Sequence, residues 1–286
     1  MPKTSKPLTI SIVIPVYNEE SGLAACLDSI AAQTVEPDEV IVVDNNSTDG
    51  SAEVAAGYPF VTVLHEKIQG TIAARDRGFD AASGDIIGRI DADCILRPNW
   101  TEELKRILSD RRIDAVAGIL ETDALLGRTN LRTTLWSRMY LALSNAYFGV
   151  QIMQGGNMAL RRSAWQQIRL ETQTDYQAIH EDQDISVLLA SHGRRTVQSR
   201  RLIADLPSGN QSYHAWPKLK DYITRWIRLK DYHMQVGTYQ RPKIALLPLK
   251  KLVVLGTIMS IPFFLFVVTS VLLDGYRRLV DADSTE

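Results

Sequence analysis

The sequence is poor in cysteine: of 286 residues only Cys26 and Cys94 are thiols. They are too few and too far apart for a disulfide framework or a zinc knuckle, and a reducing compartment is expected. An excess of either charge is also missing. Lys and Arg total 32 against 33 Asp and Glu, so nothing global marks a nucleic-acid binder. No secretory leader is expected, because Met1 to Thr9 is polar and the first apolar run, Ile10 to Val16, is strand-length and interrupted by Pro15. Two glycine signatures are absent as well. Pro15-Val16-Tyr17-Asn18-Glu19 stands where a G-x-G-x-x-G would follow the first strand, and no G-x-x-x-x-G-K-[ST] occurs. That excludes the dinucleotide fingerprint and the P-loop.

What is present is a regular alternation. Thr9 to Pro15, Glu39 to Asp44, Val61 to Leu64, Asp85 to Ile90 and Ala115 to Leu120 are short apolar runs of the buried-strand type. Between them, Ser21 to Gln33, the stretch opened by Asn45 to Ser51, Thr71 to Ala82, and Trp100 to Asp110 have helical patterns and capping residues. Strands alternating with helices predict an α/β fold with a mostly parallel sheet and helices on both faces. Ligands of such sheets bind beyond the carboxyl ends of the strands. The loops after three strands carry Tyr17 to Glu19, Asp44 to Asp49, and Asp91 to Asp93, so three polar clusters are expected on one rim.

Asp91-Ala92-Asp93 follows the run Ile86 to Ile90 directly. In an extended chain, residues two apart share a face, so both carboxylates would point to one site. Such a pair suits Mg²⁺ or Mn²⁺, which take oxygen ligands and combine one or two carboxylates with substrate phosphates. A lone D-x-D is more often an acidic turn that caps a strand. Asp44, at the end of the second strand, can accept hydrogen bonds from a ribose or base. Without glycine amides to cradle a diphosphate, a nucleotide site here would use a metal, and a metal-bound nucleoside diphosphate is a leaving group.

The stretches SIVIPVYNEE, IVVDNNSTDGS, GTIAARDRGFDAASGDIIGRIDADC, QGGNMALRR and HEDQDIS, in that order, resemble the family 2 glycosyltransferases of GT-A fold, over roughly Thr9 to Arg201. The resemblance implies a nucleotide-sugar donor, UDP first with GDP and dTDP as alternatives. It implies that Pro15, Tyr17, Glu19, Asp44 and Asp49 line the nucleotide part of the donor site. Arg75 would lie near the phosphates, Asp91 would contact the ribose or the metal, and Asp93 would ligate the metal. Gly155, Gly156 and Asn157 would belong to the acceptor pocket with Glu181, although a bare GGN is more often an ordinary turn. Asp182 would be the general base. First-turn acids such as Glu181 and Asp182 can also simply complement a helix dipole. One base and a metal-stabilised leaving group imply a single displacement that inverts the anomeric carbon.

Residues 1–215 are therefore expected to form the catalytic domain, with 9–120 as its nucleotide-sugar half and 121–215 as its acceptor half. Glu121 to Phe148 has a helix-like apolar pattern. Residues 216–243 interleave Lys218, Lys220, Arg225, Arg228 and Lys230 with Trp216 and Trp226, as an interfacial helix does. Arg225-Trp226 also resembles the end of the Q-x-x-R-W motif of processive synthases, where it borders phosphates, but Tyr222 stands at the Gln position. Leu252 to Leu273 holds 22 residues without a charge, enough to cross a hydrocarbon core within a 244–275 span, leaving 276–286 as a polar tail. The flanking basic residues favour a single-pass protein of the inner membrane with its catalytic domain in the cytoplasm. A membrane tether suggests a lipid-linked or glycan acceptor. Cys94 is expected to pack behind the acidic pair, and His214 to be a packed or surface residue.

Overall fold

The computed structural model describes residues 7–122, 141–175, 179–207 and 215–241. The expected span at 252–273, His214, and most of the helix expected over 121–148 lie outside them. Among the described residues no helix is long and apolar enough to cross a membrane.

Among the described residues eight strands form one sheet: β1 (Ile10–Val16), β2 (Glu39–Asp44), β3 (Val61–His65), β4 (Ile86–Ile90), β5 (Ile95–Leu96), β6 (Ala115–Thr122), β7 (Asn157–Arg161) and β8 (Thr196–Leu206). Their order is β3-β2-β1-β4-β7-β6-β8-β5. The first half is parallel, as the alternation requires: β1 pairs with β2 and β4, and β2 with β3. The second half is not. β7 enters antiparallel between β4 and β6, β5 is antiparallel to β8, and only β6 and β8 run parallel. The sheet is thus mixed rather than mostly parallel. Its central antiparallel strand brings the loop before Asn157 to the carboxyl end of β4.

Helices α1 (Glu20–Ala31), α2 (Ser51–Ala56) and α4 (Trp100–Leu108) cover one face; α3 (Thr71–Ala81), α5 (Arg162–Ile168) and α6 (Glu181–Ser191) cover the other. The pleat sorts the strand residues accordingly. Ile10, Ile12, Ile14, Ile86 and Ile90 pack with α1 and α4, while Val13, Ile41, Val43 and Ile87 pack with α3, α5 and α6. Because both faces are buried, the strands read as continuous apolar runs. Gly88 in β4 leaves room for Trp100, whose ring would stand 2.7 Å from a Cβ there.

A last helix, α7 (Ala215–Gln235), docks through Leu229 and His233, both buried. Leu229 joins Phe148, Val150, Ile152, Ile179 and Val187 in a third cluster, with Tyr147, Trp226 and Tyr239 against it. His233 Nε2 lies 3.0 Å from Asp184 Oδ1 of α6. The segment expected at a membrane surface is therefore clamped to α6 and its neighbours along one side, while Ile227 and Met234 of the same helix stay exposed.

Candidate active site

The rim is built by loops that fasten one another. Asn18 and Asn46 adopt left-handed φ values of 53° and 63°, a conformation asparagine tolerates. The Thr48 N–H donates to Asn18 Oδ1 at 2.8 Å and the Asn18 N–H to Ser47 Oγ at 3.1 Å. Asp49 Oδ2 accepts the Glu20 N–H at 3.1 Å, so it secures the start of α1 while its Oδ1 accepts from Ser51. These bonds, led by that from the Ser51 hydroxyl, hold the Asp49 carboxyl below its ordinary range. Asn18, Glu20, Ser21 and Asp49 line an open depression of about 450 Å³. Asp44 is buried, accepting from the Ser47 N–H and facing His65 Nδ1 at 3.2 Å. Tyr17, which follows the Val16 that pairs with Asp44, is exposed, and Pro15 is half-buried in β1.

β4 ends at Ile90, and Asp91 to Cys94 is a tight turn closed by the Cys94 N–H on the Asp91 carbonyl at 3.1 Å. The acidic pair is thus on a turn, not on an extended strand end. The two carboxylates remain close enough to interact. Burial and then Asp91 raise the Asp93 pKa, and burial followed by Asp93, Asp49 and Asp91 raises that of Glu19. Among the described residues no three His, Cys, Asp or Glu side chains form a closed metal cage. A rim of two hard carboxylates with surplus negative charge fits an ion that draws its remaining ligands from phosphate and water. Cys26 and Cys94 are buried behind it in the apolar core.

A buried charge network lies on the α3 and α6 side of β4. Arg75 of α3 is wholly buried and gives its guanidinium to Asp76, at 2.6 and 2.8 Å, and to Glu181 Oε2, at 2.8 Å. It therefore braces the site from within; the expected place near the phosphates corresponds to no open surface of this side chain. Glu181 Oε1 accepts from Arg89 Nη1 at 2.5 Å, and Arg89 Nη2 donates to Asp91 Oδ1 at 3.0 Å. Burial opposes the Glu181 charge, yet Arg89 and Arg75 outweigh it and hold the carboxyl below its usual range. Glu181, expected in the acceptor pocket, is an anchor between two arginines.

Asp182 is the second residue of α6. Its Oδ2 accepts the Gly155 N–H and its Oδ1 the Gln183 N–H, each at 2.8 Å. Burial and then the Glu181 carboxylate push its pKa up to about 7, against the pull of Arg89 and the two N–H groups. Gly155 and Gly156 run close beside the network: a Cβ on Gly155 would overlap the Arg89 guanidinium, and one on Gly156 would lie 2.9 Å from Asp91 Oδ2. Asn157 differs from its neighbours. Its amide is fully buried, donating to the Ile119 and Leu202 carbonyls at 2.9 and 3.1 Å and accepting from Trp100 Nε1 at 2.9 Å. It ties the sheet to α4, which corrects its expected place as an acceptor contact.

Arg225 pairs with Asp221 at 2.9 Å one turn back on α7 itself, and Trp226 stacks on Tyr147 at 5.8 Å, so Trp226 takes part in docking the helix. Sequence reasoning missed Arg89, which sits inside a run taken as apolar. An arginine two residues before an acidic turn, in a buried strand, was the available signal.

The Glycosyl transferase family 2 model matches residues 11–169. Glycosyltransferase AglE of Haloferax volcanii is 37% identical over 119 residues, 39% of each chain. The undecaprenyl-phosphate 4-deoxy-4-formamido-L-arabinose transferase of Aeromonas hydrophila is 39% identical over 108 residues, 35% of this chain and 32% of that one. The match thus spans between three and four tenths of these relatives' lengths. Among solved structures, the mannosyltransferase PcManGT from Pyrobaculum calidifontis, in complex with GDP-Man and Mn²⁺, superposes with a TM-score of 0.60 at 20% identity, over 94% of this chain and 81% of that one; that likeness concerns the fold. With a family model matched across more than half of its length, from β1 through α5, the chain belongs to glycosyl transferase family 2.

Proposed function

We propose that this transferase moves a sugar from a nucleoside-diphosphate sugar to a lipid-linked acceptor, with inversion at the anomeric carbon and with Mg²⁺ or Mn²⁺ assistance. The observation that carries the reading is the placement of Asp182 and Asp91 on one buried frame, joined through Glu181 and Arg89. Asp182 takes the proton from the acceptor hydroxyl. The oxygen's electron pair forms the new bond to the anomeric carbon as the bond to the diphosphate oxygen breaks, and the electrons of that bond leave with the diphosphate. A base with a pKa of about 7 is matched to this task at neutral pH. The rim loops carrying Tyr17, Glu19, Asp44 and Asp49 hold the nucleoside, and Asp91 and Asp93 are the residues that would hold the metal. A divalent ion held by them would supply positive charge against the charge developing on the leaving diphosphate.

The lipid-linked acceptor and the membrane location rest on the uncharged sequence at 252–273 and on the undecaprenyl-phosphate substrate in one relative's name. The catalytic domain is then cytoplasmic, on the inner membrane. That name also favours a second reading, in which the acceptor is the polyprenyl phosphate itself. The test is nucleoside diphosphate release by purified membranes from UDP-, GDP- and dTDP-sugars with Mn²⁺ or Mg²⁺, with and without added polyprenyl phosphate. One donor should turn over, and chelation should stop it. Release that depends on added polyprenyl phosphate selects the second reading. Absence of both turnover and nucleotide binding would leave a noncatalytic scaffold.

A further inference from the structure

We infer that Arg89 is the positioning residue that keeps the donor side and the base side of the site in register. The inference deepens the transfer reading above and rests on it. One guanidinium joins three chain segments. Nη2 holds Asp91 on the turn after β4, Nη1 holds Glu181 at the start of α6, and the Nη1 end also occupies the space left by the missing side chain of Gly155. Gly155 in turn donates to Asp182, the residue after Glu181. The acidic turn, the glycine turn and the base therefore share one rigid partner. Arg89 is itself fixed, because β4 lies in mid-sheet and places it opposite Val13 of β1 and Met158 of β7.

Folding alone gives little reason for this arrangement. A buried ion network is commonly no more stabilising than apolar packing of the same volume, and every other residue of Ile86–Ile90 is apolar or glycine. Arg89 Nε is also buried with no hydrogen-bond partner among the described residues, a cost that an apolar side chain at this place in β4 would not carry. The demand is planar and bidentate. Lysine keeps the charge but cannot hold Asp91 and Glu181 at once in a fixed fork.

The test compares the wild-type chain with Arg89→Lys and Gly155→Ala, the second of which displaces the guanidinium without removing it. Two readouts are taken: steady-state kinetics with the active donor, and amide hydrogen exchange. Misplacing reacting groups by about an ångström costs on the order of 100-fold in rate, so kcat should fall about that much in both variants, with a much smaller change in donor KM. Exchange should quicken in the Gly155 turn and in the first turn of α6 together, while β1 and β2 stay protected. Unchanged kcat with unchanged protection at those two turns overturns the proposal. So does a uniform loss of protection with unchanged kcat per folded molecule, which is what a purely structural arginine gives. If the wild type turns over no donor, the transfer reading falls, and the exchange pattern still decides whether Arg89 couples the two turns.

Discussion

The Gly155 N–H donates to Asp182 Oδ2 at 2.8 Å, so the glycine turn and the Asp182 carboxyl behave as one unit. Asparagine at 182 can still accept that bond but cannot take a proton. Asp182→Asn should therefore keep donor binding and lose about 10³-fold in kcat, the scale of general base catalysis. A general base acts in its ionised form, so with Asp182 in the proposed role kcat should rise with pH through about 7 and level off above. A kcat that is flat from pH 5 to 9 would remove Asp182 from the chemistry.

The same raised pKa has a stability consequence with a definite sign. Between its ordinary 3.8 and about 7, Asp182 is protonated in the folded chain and ionised in the unfolded one, so the wild type loses stability as pH rises through that window. Asp182→Asn is free of this loss. Asparagine loses one of the two N–H bonds at any pH, so the test is the trend: relative to the difference near pH 4, its melting temperature should gain on the wild type up to about pH 7 and hold that gain above. A lead that shrinks with rising pH would mean the carboxyl is held ionised instead.

Strands and loops were legible in the sequence where the signal is local. Glu39–Asp44 forms β2 over the residues its apolar run spans, and the three rim clusters fall on one edge, because buried parallel strands must be apolar on both faces and must end in polar turns. The placement of β7 was not legible. Asn157–Arg161 has no feature that announces an antiparallel neighbour of β4, since strand pairing is set by contacts far apart in sequence. The charge network was hidden for the same reason: Arg89 and Arg75 meet Glu181 across 92 and 106 residues. Each was visible alone, and only the fold makes them one object.

Asn157 separates a structural residue from a binding one. Its amide holds three buried groups, on Trp100, Ile119 and Leu202. Asn157→Ala leaves each without its partner, and a stranded buried polar group costs about 1–3 kcal/mol. A loss of about 3 kcal/mol or more in denaturant unfolding is expected, with acceptor KM unchanged in the folded fraction. An intact stability with a raised acceptor KM would return Asn157 to the acceptor pocket.

Asp93 is placed where stability and binding oppose each other. Burial and the Asp91 carboxylate disfavour its charge, and it in turn disfavours that of Glu19. Such a concentration of acids destabilises a metal-free fold and is relieved by a bound cation. Asp93→Asn removes one charge with little change of shape, so its metal-free melting temperature should exceed that of the wild type at neutral pH. Adding Mn²⁺ and a nucleoside diphosphate should then separate the two in the other direction. A ligand at 100 times its Kd stabilises a fold by about 2.7 kcal/mol, and the wild type should show a rise of that order that depends on having both additives. The variant, with one carboxylate left in the pair, should show little of it. Equal rises in the two proteins would mean that Asp93 is no metal ligand, and a lower metal-free melting temperature in the variant would mean that its carboxylate is held by a favourable contact.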